Sequence, residues 1–191
     1  MHTERDFWQI IGLGILKREF EWLRPLRDSV SSVVVIGCWD QGDTNGTCSE
    51  PYALLRILEA SSVVVVDKEA EYIRNAQGWL ERTQARYPDL FNDCNVEFVV
   101  SDIAEGMGQL ASEGFDLAYC SNVLYYMKSD IRRLQAAVNT MAQVVKPGGW
   151  IIADESIELD RQLEEAGLEK ATPLENIPES VYCYRKPLTV E

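Results

Sequence analysis

Short runs of apolar residues punctuate the chain at even intervals: Val33-Val34-Val35-Ile36, Val63 to Val66, Val96 to Val100, Phe115 to Cys120 and Trp150 to Ala153. Each is four to six residues long and rich in β-branched side chains, the pattern of strands buried on both faces of a parallel sheet. Between them the apolar positions recur at helical spacing. Leu54, Ile57 and Leu58 share one face of a helix that Ser49 would cap and in which Pro51 fits the first turn. Tyr72, Ala76 and Trp79 align in a helix from about Glu69 to Arg86, closed by Pro88. Ile131, Leu134, Val138, Met141 and Val145 align in another, which Ser129 would cap and Lys146-Pro147-Gly148-Gly149 would end.

The ends of the chain read less regularly. Residues 4–24 carry a helical stripe of Leu13, Leu16, Phe20 and Leu23, with Trp8, Ile11 and Ile15 beside it; Gly12 and Gly14 weaken its middle and Pro25 stops it. A short helix is expected around Ala104 to Ala111, and a charged one from Leu159 to Ala166. Leu168–Leu174 and Val181–Arg185 read as two last strands, joined by a connection so short that antiparallel pairing follows. The order predicts an α/β chain: a Rossmann-like, doubly wound sheet of seven strands, mostly parallel, closed by an antiparallel hairpin. One domain is expected over residues 1–191, with 1–29 as a helical cap and 30–191 as the core.

Composition narrows the chemistry. The formal net charge is -13, which argues against a nucleic-acid partner, because phosphate binding needs clustered Lys and Arg. The densest basic pairs, Lys17-Arg18 and Arg132-Arg133, are surrounded by acids and read as solvated helix faces. No apolar run approaches the ~20 residues of a membrane-spanning helix. The N-terminus lacks the form of a signal peptide, and a cytoplasmic protein is expected. No two of the five cysteines show CxxC spacing, so no metal site is signalled. The only histidine is His2, which removes a Ser-His-Asp triad and a histidine-based metal site.

In open α/β sheets ligands bind at the carboxyl ends of the strands. Gly37, Asp67, Asp102 and Asn122 each follow a predicted strand, so four special residues gather where a ligand belongs. Asp67 follows the second strand, where nucleoside-binding sheets present a carboxylate to a ribose diol. The competing role for Asp67 and for Asp102 is capping of the helix that follows.

Taken in order, VVVIGC, VVVVD, VEFVVSDI, FDLAYCSNVLYYM and VVKPGGWIIADE resemble the strand phrases of class I S-adenosylmethionine-dependent methyltransferases, and EEAGLEKATPL with SVYCYRKP resembles that family's last helix and hairpin. SEPYALLRIL and FDLAYCSNVLYYM are similar to the catalytic domain of chemotaxis-receptor glutamate methyltransferases. Ser121 stands where those have an arginine, so the receptor substrate is not carried over. The first motif also departs from the family pattern. Val35 holds the position of an acid, and Trp39 and Gln41 replace glycines, leaving Gly37, with Gly42 and Gly46 later in a longer loop.

The resemblance implies S-adenosyl-L-methionine as cofactor. Gly37 and Cys38 would approach it through their backbone, Asp67 and Lys68 would hold the ribose, and Asp102 and Ile103 the adenine. Ser121 and Asn122 would face the methyl group, and Tyr126 would touch the acceptor unless it, like Tyr125, only packs. Glu50, near a helix start, is a candidate partner for the cofactor's ammonium in place of the missing acid, with Asp40 and Asp43 as rivals. The expected reaction is in-line methyl transfer to a small-molecule or protein acceptor, needing mainly alignment. The alternative is a non-catalytic protein that binds the cofactor or a nucleoside. A nicotinamide oxidoreductase is disfavoured by the missing GxGxxG.

Overall fold

The computed structural model describes residues 3–11, 20–38, 48–108, 110, 114–171 and 177–188. Seven strands form one sheet in the order β3-β2-β1-β4-β5-β7-β6. They are β1 Ser32–Ile36, β2 Ser62–Asp67, β3 Val96–Val100, β4 Phe115–Ser121, β5 Val145–Asp154, β6 Glu169–Lys170 and β7 Val181–Arg185. The first five run parallel, and β7 pairs antiparallel with both β5 and β6. The predicted sheet, hairpin included, is the observed one.

The apolar runs are continuous because successive side chains point to opposite, equally covered faces. Val33, Val35, Val63, Val65, Leu117 and Tyr119 join one buried cluster, under α2 (Glu50–Leu58) and α3 (Ala70–Arg86). Val34, Ile36, Val64, Val66, Ala118 and Cys120 join the other, under α5 (Ile131–Val144) and α6 (Asp160–Glu165). Among the described residues the other α-helices are α1 (Glu4–Ile10) and the single turn α4 (Pro88–Phe91).

Several local expectations are corrected. The helix expected over 4–24 is α1 followed, from Glu21 to Ser29, by a 3-10 helix that contains Pro25. Burial of Trp22, Leu23 and Leu26 holds this tighter coil against the missing proline N–H. Leu13, Ile15, Leu16, Gly12 and Gly14 lie outside the described residues. Ser49 precedes α2, but its hydroxyl donates to the carbonyl of Ile11 at 2.8 Å, tying α1 to α2 instead of capping. Asp130, not Ser129, caps α5 by accepting from the amide of Arg133. Where a helix was expected from Ala104, the described residues begin with a 3-10 turn, Ile103–Glu105. Lys146-Pro147-Gly148-Gly149 lies within β5 as an irregularity, where the register jumps from Phe115↔Val145 to Leu117↔Trp150. Gly148, at φ +79°, permits the excursion.

Asp116, read from the sequence as orienting its strand, does that. One carboxylate oxygen accepts from the amides and hydroxyls of both Ser31 and Ser32, at 2.9–3.0 Å, and the other pairs with Lys146. Burial alone would raise its pKa, but these partners hold it down at about 2.

Candidate active site

Strand order reverses beside β1, whose two neighbours are β2 and β4. At such a switch point the loops leave the sheet in opposite directions and open a crevice. A cleft of about 610 Å³ lies there, at the carboxyl ends of β1, β2, β3 and β4. That volume is in the range of small-ligand sites.

Gly37, Asp67 and Lys68 line the cleft where β1 and β2 end. Gly37 has φ +97°, and an added Cβ would sit 2.3 Å from Cγ2 of Val123, so the β1 and β4 loops meet through the absence of a side chain. The Asp67 carboxylate is clamped. One oxygen accepts from the amide of Cys38 at 2.7 Å and the other from that of Glu69 at 2.8 Å. Each oxygen keeps a lone pair for a further donor. Cys38 does not line the cleft: its side chain is buried in the core, and its amide serves to orient Asp67.

Asp102 and Ile103 form the β3 side. Asp102 caps the 3-10 turn by accepting from Ala104 at 2.9 Å and also pairs with Arg133 from α5. Arg133 is therefore a wall of the cleft, not the freely solvated cation its sequence context suggested. Ile103 offers an apolar edge.

From β4 come Ser121 and Asn122, and from the 3-10 turn Leu124–Met127 come Tyr125 and Tyr126; all four line the cleft. Asn122 holds φ +54°, a left-handed conformation that few residues other than glycine adopt readily and that clusters at functional sites. Tyr126 is 73% exposed at the mouth, edge-on to Tyr125 with ring centroids 5.7 Å apart. Lys128 lies over the Tyr125 ring at 3.6 Å.

Glu50, at the start of α2, also lines the cleft. Burial raises its pKa, against a smaller pull from the amides of Glu50 and Ser49; no cation pairs with it among the described residues. Tyr119, beside it in the cleft wall, is pushed well up by burial and by the Glu50 charge. Glu50 is therefore a carboxylate that an incoming cation would satisfy. Asp40 and Asp43 lie outside the described residues, as do Trp39, Gln41, Gly42 and Gly46.

Besides Arg133, a residue that supports the site from behind was missed. Glu155, just past β5, is 2% exposed and accepts from the amides of Val123, Leu124 and Tyr125 at 2.9–3.0 Å and from the thiol of Cys120 at 3.4 Å. Its signal was available, because it follows a predicted strand as the others do.

A family model described as a methyltransferase domain matches residues 40–153, more than half of the chain. The chain belongs to this methyltransferase family. It is a class I, S-adenosylmethionine-dependent methyltransferase. No curated protein matches the chain. Among solved structures, the N-methyltransferase NodS from Bradyrhizobium japonicum WM9 is 21% identical, aligned over 91% of this chain and 97% of that one, with a TM-score of 0.60. An S-adenosylmethionine-dependent methyltransferase from Clostridium acetobutylicum is 10% identical over 90% of this chain and 91% of that one, with a TM-score of 0.65. The sugar N-methyltransferase KedS8 from a Streptoalloteichus species is 12% identical over 90% and 86%, with a TM-score of 0.60. At these identities the likeness is one of fold.

The residues present fit the cofactor. A clamped carboxylate with lone pairs to spare suits a diol, a half-buried carboxylate with no paired cation among the described residues suits an ammonium, and the side-chain-free Gly37 lets the backbone approach. No group of His, Cys, Asp or Glu among the described residues has the arrangement to hold a metal ion.

Proposed function

We propose that this cleft transfers a methyl group to a small-molecule or protein acceptor that enters past Tyr126. The observation that carries the reading is the convergence of four strand ends on one cleft that holds a carboxylate, Glu50, with no cation paired to it among the described residues. In this reading Asp67 accepts from the ribose hydroxyls, with Lys68 beside it. Asp102 accepts from the adenine amino group while Ile103 packs on the ring. The Gly37–Cys38 backbone runs alongside the amino-acid end, and Glu50 neutralises its ammonium. Ser121 and Asn122 form the wall beside the transferred methyl.

When bound, S-adenosylmethionine supplies an electrophilic methyl on its own sulfonium leaving group. The chain's task is then alignment, which can supply several orders of magnitude. Tyr126 contacts the acceptor at the mouth and orients its nucleophilic atom toward the wall. The cleft excludes water on the buried side through Val35, Ile36 and Val66. The chain works as one domain, the described residues before β1 capping the core, in a cytoplasmic setting; its five unpaired cysteines suit a reducing compartment. No helix among the described residues is long and apolar enough to cross a membrane.

Calorimetry tests the reading. S-adenosylhomocysteine is expected to bind more tightly than NADH, and Asp67→Asn to weaken S-adenosylhomocysteine by at least about tenfold, since charge-assisted hydrogen bonds contribute ~1.5–3 kcal/mol each. Tighter binding of NADH, or an Asp67→Asn variant that binds like the parent, overturns it.

A further inference from the structure

The loop after β4, with its 3-10 turn Leu124–Met127, must place Asn122, Tyr125 and Tyr126 on one wall beside Ser121 at the strand's end. Its amides converge on one point. Oε1 of Glu155 accepts from Val123 and Leu124 at 2.9 Å each, and Oε2 accepts from Tyr125 at 3.0 Å. The residue before Glu155 completes the hold, since the carbonyl of Asp154 accepts from the amide of Asn122 at 2.9 Å. So four successive amides, from 122 to 125, end on the two residues at the close of β5. A neutral side chain cannot do the same: three N–H donors need acceptor-only oxygens, which an ionised carboxylate has and a carboxamide has only in part.

Holding a carboxylate at 2% exposure is costly unless its hydrogen bonds return the lost hydration. Apolar side chains would fill that space with less penalty if packing were the only need. The loop it grips also touches the other side of the cleft. Val123 packs against Gly37 so closely that no Cβ fits between them. A shift of the loop is therefore transmitted to the β1 backbone as well as to the wall.

We propose that Glu155 is a positioning residue: through the amides of Val123, Leu124 and Tyr125 it sets the wall of the cleft that faces the methyl group and the acceptor. The consequence for ligands rests on the reading that Ser121, Asn122 and Gly37 face the sulfur and amino-acid end of the cofactor. Glu155 touches no ligand itself. It acts by fixing the backbone of groups that do.

The test reads the loop and the ligand separately. In the parent, amide exchange at Val123, Leu124 and Tyr125 should be slow, like that of the strands. Fast exchange at these three amides in the parent overturns the proposal without any variant. In Glu155→Gln the carboxamide oxygen replaces one acceptor and its NH2 opposes one donor, so Tyr125 should exchange about tenfold or more faster, as expected for loss of a charge-assisted bond. Its 15N-resolved amide signal should move more than those of the sheet. Calorimetry should show S-adenosylhomocysteine weakened about fivefold or more while plain adenosine is held within about twofold, a change in the binding ratio of at least about 2.5-fold, or roughly 0.5 kcal/mol. Glu155→Asp, which keeps the charge on a shorter stem, should recover part of that ratio. Equal affinities in parent and Glu155→Gln, or parallel losses for both ligands, make Glu155 merely structural. A parent that fails to bind S-adenosylhomocysteine while its three amides are protected sinks the cofactor reading and leaves the loop assignment standing.

Discussion

Gly37 offers a perturbation whose size can be worked out beforehand. Alanine there puts a Cβ 2.3 Å from Cγ2 of Val123 on a residue with φ +97°. The positive dihedral costs a residue with a Cβ about 1–2 kcal/mol. Forcing a methyl into occupied space costs about 1–3 kcal/mol more. The sum, about 2–5 kcal/mol, should lower the melting temperature of a chain this long by roughly 4–20 °C. Gly106 is the internal control. Its φ is +86°, and an added Cβ meets nothing within 4 Å, so Gly106→Ala should show the dihedral part alone. Val123→Ala in the Gly37→Ala background removes the clashing Cγ2 and leaves a Cβ at an ordinary 3.8 Å. A double-mutant cycle by thermal or urea unfolding should therefore return a coupling of about 1–3 kcal/mol in the rescuing direction. If Gly37→Ala is no less stable than Gly106→Ala, or the coupling is zero, the two loops do not meet as described.

Three further outcomes are expected. Because burial raises Glu50 above its ordinary carboxylate range, the free protein loses stability as pH rises from about 4.5 upward; Glu50→Gln should melt higher than the parent at pH 8, the gap closing below pH 4.5, and an unchanged gap across that range refutes the assignment. If the ammonium meets Glu50, titration of S-adenosylhomocysteine in buffers of different ionisation enthalpy should show proton release at pH above the ordinary carboxylate range in the parent and less in Glu50→Gln; equal release in both removes Glu50 from the site. Asp116 titrates the other way: held at about 2, it contributes stability that is present above 3.8 and lost as pH falls through 2, so acid unfolding over that window should be steeper for the parent than for Asp116→Asn.

The sheet was legible because β1, β2 and β4 are buried on both faces, which writes an unbroken apolar run into the sequence. The places of Gly37, Asp67, Asp102 and Asn122 followed from strand ends alone, since every parallel strand delivers its last residues to the same edge. What escaped were partners chosen by the tertiary fold. Arg133 reads as one of many surface cations until α5 brings it to Asp102, 31 residues away. Ser49 has every local mark of a helix cap, but the carbonyl of Ile11 competes for its hydroxyl. Glu155 lay in plain sight after the fifth strand; its role depends on amides 30–32 residues earlier that no local pattern reveals. Asp67 shows the reverse: expected as a free ligand for a diol, it is also the brace between Cys38 and Glu69, so its substitution will cost stability as well as affinity.

In the proposed function one cleft at the β1–β4 switch point holds the cofactor with the ribose at Asp67 and the amino-acid end at Glu50. A crystal structure of the protein with S-adenosylhomocysteine tests it most directly. Both ribose hydroxyls are expected within about 3.2 Å of the Asp67 carboxylate and the ammonium in ion-pair reach of Glu50. A ligand bound elsewhere, or bound in this cleft with the ribose turned away from Asp67, would contradict it.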